Sequence, residues 1–122
     1  MSIQESGEMY LETILVLTNE KEGVHAIDIS EHMGFSKPSV SRALGLLKKE
    51  ALIVVDGDGH ITLTSEGRAL AETIYARHRV LTALLVHLGV DEETASADAC
   101  RMEHAISDET FRAIQTYMDN QP

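Results

Sequence analysis

The sequence predicts a mostly α-helical chain with one short β insert. Three observations carry this. Apolar residues recur at helical spacing through most of the chain, the period drops to two once around residues 52–64, and glycine or N-cap residues punctuate the segments. Segment by segment, residues 6–19 repeat Tyr10, Ile14 and Leu17 at i, i+4, i+7, with Leu11 and Leu15 widening the stripe into a first helix. Residues 26–33 form a short second helix, with Ile27 and Ile29 apolar and Gly34 at its C′ position. Ser36 caps a third helix that tolerates Pro38 in its first turn and buries Val40, Leu44 and Leu47. Lys37, Ser39, Arg42 and Lys49 fall outside that face. Leu52–Val55 and His60–Thr64 read as strands joined through Asp56-Gly57-Asp58-Gly59. A long fourth helix follows over 65–88 and Gly89 stops it. A fifth spans 91–106, and a sixth opens at Ser107 and runs to about Met118.

Helix, short helix, tight turn, helix and hairpin make a winged helix-turn-helix with a two-stranded wing over residues 1–64, followed by an α-helical domain over 65–122. The 122-residue length and 43% hydrophobic content suffice for a core without disulfides. A single cysteine makes no intrachain disulfide, so the cytoplasm is the expected compartment. No apolar run reaches the length of a membrane span, and the first ten residues lack the pattern of a signal peptide.

The formal charge of −10 argues against a purely electrostatic DNA binder, but the distribution is uneven. From His32 to Lys49 the chain carries Lys37, Arg42, Lys48 and Lys49 and no acid. This cluster sits on the helix that would enter a major groove, and the bland alternative is an ordinary solvated face. Ser39 and Arg42 are expected nearest base edges, Lys37 and Lys48 near phosphates, and Pro38 against a thymine methyl, with Lys49 a further residue of the DNA-binding set.

Cys100, Glu103 and His104 stand at i, i+3, i+4 on one helix face. Thiolate, carboxylate and imidazole converging there form a metal-ligand set, and the alternative is a buried cysteine beside a surface Glu-His pair. Met9 and Glu12 make a second pair one turn apart, of types that more often serve packing and solvation. His78 is flanked by Arg77 and Arg79.

Glu8-Met9-Tyr10-Leu11, Leu63-Thr64-x-x-Gly67-Arg68, His78-Arg79 and the run from Ala99 through Glu109 resemble the diphtheria-toxin-repressor and manganese-transport-regulator family of metal-dependent transcriptional repressors. The resemblance covers nearly the whole chain. It implies a winged-helix domain joined to a helical dimerisation domain with metal bound between them, and a homodimer on a palindromic double-stranded operator. By position, Met9, Cys100, Glu103 and His104 match the regulatory metal site, and His78 matches a ligand of a second site. Thr82 and Ser96 replace a glutamate and a histidine of the iron branch, while Glu12 matches a manganese-branch ligand. A hybrid second site of Glu12, His78 and Glu103 is therefore expected. With the sequence read to Pro122, the resemblance implies the two-domain layout of the manganese branch, without the third SH3-like domain common in the iron branch, as an expectation.

Sulfur ligands favour Fe(II) over Mn(II), with Co(II), Ni(II) and Zn(II) as substitutes in vitro. Two other functions compete: a metal-independent winged-helix regulator sensing redox through Cys100, and a small metalloenzyme, for which no general base is evident. Leu81, Leu84, Leu85 and Leu88 exceed the apolar face one small domain can cover, which points to a two-fold dimer.

Overall fold

A computed structural model describes the backbone from residue 5 to 122 and side chains from Gly7 onward. Six helices and two strands follow in the order α1 (Glu5–Glu20), α2 (Ala26–Met33), α3 (Lys37–Lys49), β1 (Ile53–Val55), β2 (Ile61–Leu63), α4 (Ser65–His87), α5 (Glu92–Ala105) and α6 (Asp108–Asp119). The chain forms two compact units, one ending at Glu72 and one beginning at Thr73, so the division falls inside α4.

In the first unit α1 packs on α2, α3 and β2, and α3 packs on β1. Tyr10, Leu11, Ile14, Leu15 and Leu17 of α1 are all buried, as are Ile29, Val40, Leu44 and Leu47. Burying each large aliphatic side chain is worth about 1.5–3 kcal/mol. Ile27, two residues before Ile29 and so on the other side of the helix, is 43% exposed. Gly34 ends α2 in the left-handed conformation with φ 73°, and its N–H donates to Ser30 O. Ser36 then accepts from Ser39 N to cap α3. Phe35 between them is pinned because Ser30 Oγ donates to its carbonyl at 2.7 Å. The helix-turn-helix is thus closed by three residues, Gly34 to Ser36, each with a defined local role.

The wing is an antiparallel pair in the register Ile53↔Leu63, Val54↔Thr62, Val55↔Ile61. Ile53, Ile61 and Leu63 face the core, while Val54 and Thr62 face out. Three features outside the ladder fasten the wing. Ile61 N donates to Val24 O at 2.8 Å, tying β2 to the α1–α2 turn. Thr64 Oγ1 donates to Ala51 O at 2.8 Å. Gly67 lies so close to the carbonyl of Leu52 that an added Cβ would clash with it. Ala51 adopts φ 60°, a left-handed position at a residue that carries no turn signal.

In the second unit, α5 is capped by Asp91, which accepts from Thr94 N, and α6 by Ser107, which accepts from Thr110 N. Arg77 of α4 reaches α6, donating to Asp108 Oδ1 at 3.2 Å with its guanidinium 4.9 Å from the Phe111 ring centroid. Leu81, Ala95 and Ala99 are buried, Leu84 and Leu85 half-buried, and Val86, Leu88 and Tyr117 exposed at 44%, 66% and 47%. Among the described residues no helix is long and apolar enough to cross a membrane.

Candidate metal centre and nucleic-acid interface

His78 of α4 and Glu103 and His104 of α5 come together in the second unit. Glu103 is 1% exposed. Its Oε2 lies 3.1 Å from His78 Nδ1, and its Oε1 lies 3.1 Å from His104 Nε2. The His104 side chain is fully buried. Helical geometry explains the convergence on α5: adjacent positions 103 and 104 differ by about 100°, and both flank the direction set by Cys100 one turn earlier. Cys100 is half-buried and in no disulfide. The remaining ring nitrogen of His78, Nε2, lies 3.3 Å from Ser96 Oγ, and the Thr82 hydroxyl donates back to His78 O at 2.8 Å. The sequence had singled out Ser96 and Thr82 only as departures from a family pattern. The spacing of Ser96, Cys100 and Glu103 at i, i+4, i+7 was the signal that places Ser96 on the His78 face.

Glu103 Oε1 is buried and accepts no hydrogen bond from the described residues. A buried carboxylate oxygen without a donor costs free energy that a cation would recover. Carboxylate, imidazole and a nearby thiol are also a donor set suited to a divalent transition metal. These residues therefore fit a metal ion. Met9 and Glu12 lie in the first unit, one turn apart on α1 and both half-buried. The Met9 carbonyl accepts from Thr13 Oγ1 at 2.9 Å.

The basic face of α3 is solvated as expected. Lys37, Pro38, Ser39, Arg42, Lys48 and Lys49 are all exposed, opposite the buried Val40, Leu44 and Leu47. No acid lies in the first turn of α3. Ser39 and Arg42 border a shallow groove of about 340 Å³ with Tyr10, Phe35, Ala43 and Leu46. Burial pushes the Tyr10 hydroxyl above its usual value, and the nearby Arg42 guanidinium opposes that shift.

Residues 2–61 match the family described as iron dependent repressor, N-terminal DNA binding domain, and residues 64–121 match iron dependent repressor, metal binding and dimerisation domain. The iron-dependent repressor IdeR of Mycobacterium bovis is 38% identical over 119 residues, covering 95% of this chain and 51% of that protein. The diphtheria toxin repressor of Corynebacterium efficiens is 35% identical over 119 residues, with the same coverage of 95% and 51%. Among solved structures, the manganese regulator SloR aligns with a TM-score of 0.82 at 28% identity, covering 99% of this chain and 56% of that one. A manganese-dependent transcriptional repressor in complex with manganese aligns with a TM-score of 0.85 at 28% identity, covering 94% and 53%. The chain spans about half the length of the curated relatives it matches. Two adjoining domain matches in the family's order, on a winged helix-turn-helix followed by three helices, establish that this chain belongs to the iron-dependent repressor family.

Proposed function

We propose that the protein is a metal-activated transcriptional repressor of iron or manganese homeostasis genes, acting in the cytoplasm as a homodimer on palindromic double-stranded DNA. The observation that carries this reading is the buried Glu103 carboxylate with one oxygen toward His78 and the other toward His104. The ligands would be Met9, Cys100, Glu103 and His104 for a regulatory ion, with Glu12 and His78 sharing Glu103 for a second. Bound metal would supply a fixed double positive charge to those ligands. The remaining work belongs to the chain's own residues. The His78 side chain is held by Glu103 and Ser96, so its ring is oriented before any ion arrives. Arg42 and Ser39 would read base edges, Pro38 a thymine methyl, and Lys37 and Lys48 phosphates, with Lys49 on the same DNA-facing side.

Fe(II) is the favoured metal because of the two sulfur ligands, Mn(II) is the next choice, and Co(II), Ni(II) and Zn(II) would substitute in vitro. The exposed Val86, Leu88 and Tyr117 support a second copy against the helical unit. In such a dimer the two α3 helices must meet major grooves about 34 Å apart.

The test is binding of a duplex selected from a random pool, read by fluorescence anisotropy under anaerobic Fe(II) or with Co(II), then with EDTA. Binding is expected with metal and lost on chelation. Equal binding in EDTA would overturn metal activation, and a monomer by sedimentation at micromolar protein with metal would overturn the dimer.

A further inference from the structure

Outside the metal centre, the first unit brings two histidines together at the base of the wing. The His25 and His60 rings have centroids 4.5 Å apart. They come from different segments, the α1–α2 turn and the hairpin loop, which the Ile61 N to Val24 O hydrogen bond holds side by side. Both rings lie against glycines in left-handed conformations: His60 Nε2 is 3.1 Å from where a Gly23 Cβ would stand, and His25 Cδ2 is 3.5 Å from that of Gly59. Side chains at these two positions would crowd the pair.

The hydrogen bonds fix which nitrogen of each ring carries the proton. His25 Nδ1 is 2.9 Å from Gly23 O, and a carbonyl oxygen can only accept, so His25 Nδ1 is the donor. His60 Nδ1 is 3.3 Å from Asp56 Oδ2. That carboxylate is kept ionised by the backbone N–H of His60, then by that of Asp58, which hold its pKa below the usual range. His60 Nδ1 is therefore the donor as well. Each neutral ring is left with its lone pair on Nε2. An imidazole whose Nδ1–H is tied to a carbonyl or carboxylate while Nε2 stays available is the arrangement that metal-ligating histidines use.

We propose that His25 and His60 form a further metal site, separate from the two above and within the DNA-binding unit, taking a borderline divalent transition ion such as Zn(II) through their Nε2 atoms. Imidazole nitrogen suits Zn(II), Ni(II) and Cu(II) and disfavours Mg(II) and Ca(II). Asp56 already takes the His60 Nδ1–H, so the two imidazole nitrogens are the ligands the protein supplies here. His60 and Asp56 also line an open cleft of about 610 Å³ from which water can complete the shell. Because neither Nε2 carries a proton in the neutral rings, binding here releases none from the histidines. Occupancy would staple the wing hairpin to the α1–α2 turn, two segments that the Ile61 N to Val24 O hydrogen bond already holds together.

The experiment uses the full chain with Zn(II) alone as the probe. Long-range ¹H–¹⁵N spectra of the imidazoles report each histidine's tautomer, and equilibrium dialysis reports bound zinc. In metal-free protein both His25 and His60 are expected as Nδ1–H tautomers. On titration their Nε2 signals are expected to shift together and saturate. His60→Gln and His25→Gln should each weaken one bound equivalent at least tenfold while the signals of His78 and His104 respond to zinc as in the parent chain. An unchanged zinc stoichiometry and affinity in both variants, a shift confined to one of the two rings, or Nε2–H tautomers in the metal-free chain would overturn the proposal.

Discussion

His78 Nδ1 lies 3.1 Å from Glu103 Oε2, linking α4 to α5 across 25 positions of sequence. The other oxygen of the same carboxylate faces His104, so one buried side chain serves two imidazoles. Glu103→Gln replaces that charge with an amide of the same shape. In metal-free protein the melting temperature is expected to hold or rise slightly, because a buried charge is removed. With Co(II) at one hundred times the parent dissociation constant, the parent chain should gain about 2.7 kcal/mol and the variant little of it. Thermal melts with and without metal check both halves, and equal metal-induced shifts would remove Glu103 from the ligands.

Cys100 and His78 are expected to separate the two metal positions. Cys100→Ala should abolish the thiolate-to-Co(II) charge-transfer band and most metal-dependent DNA binding. His78→Ala should keep the band and weaken DNA binding by about 10–100-fold, the scale at which partners of a metal site usually act. A band lost in the His78 variant, or kept in the Cys100 variant, contradicts this division.

On α3, Arg42→Ala should cost about 1–3 kcal/mol and relax specificity at one base pair. Lys48→Ala should instead weaken all sequences alike and reduce the slope of log affinity against log salt by about 1. Competition anisotropy over a panel of single-base operator variants at several salt concentrations distinguishes the two.

Gly67→Ala tests how the wing is anchored. Its new Cβ would clash with the carbonyl of Leu52, a backbone atom that cannot rotate away. The start of α4 must then lift from Leu52, at an expected cost of about 1–3 kcal/mol or more, read from chemical denaturation.

Asp28 sets an acid-sensitive contribution. The Lys21 ammonium donates to it at 2.9 Å and the His25 backbone N–H at 2.8 Å, and together they hold its pKa below the usual aspartate value. A lowered folded value means this stabilisation is complete above about pH 4 and lost as pH falls through the folded pKa. Asp28→Asn should therefore cost about 1 kcal/mol at pH 7, and the difference should shrink as pH falls through the folded pKa, measured by a series of urea melts from pH 7 downward.

The elements were legible because their signals are local. Ser36, Asp91 and Ser107 cap α3, α5 and α6, Gly34 ends α2, and the two-residue period marks both strands. What escaped depends on partners distant in sequence. Nothing in the alanine at position 51 announces φ 60°; the hydrogen bond its carbonyl accepts from Thr64 and the close approach of Gly67 to Leu52 impose it. Spacing put Glu103 on the face of Cys100 but could not say that its two oxygens would point to different histidines, since His78 comes from another helix. The pairing of His25 with His60 depends on the Val24–Ile61 hydrogen bond, which no pattern in either segment encodes.

The solvated basic face of α3 belongs to a chain of net charge −10. Toward a polyanion such a molecule is repelled in most orientations and attracted in one. For the DNA partner proposed above, repulsion would then filter encounters: a collision with another side foremost would be disfavoured before contact, and residence on arbitrary DNA would be shortened. A uniformly basic domain of the same fold would bind more tightly everywhere and spend longer in the wrong places. On the proposed function, discrimination would begin at long range, in the encounter itself, and would fade as added salt screens both the attraction and the repulsion.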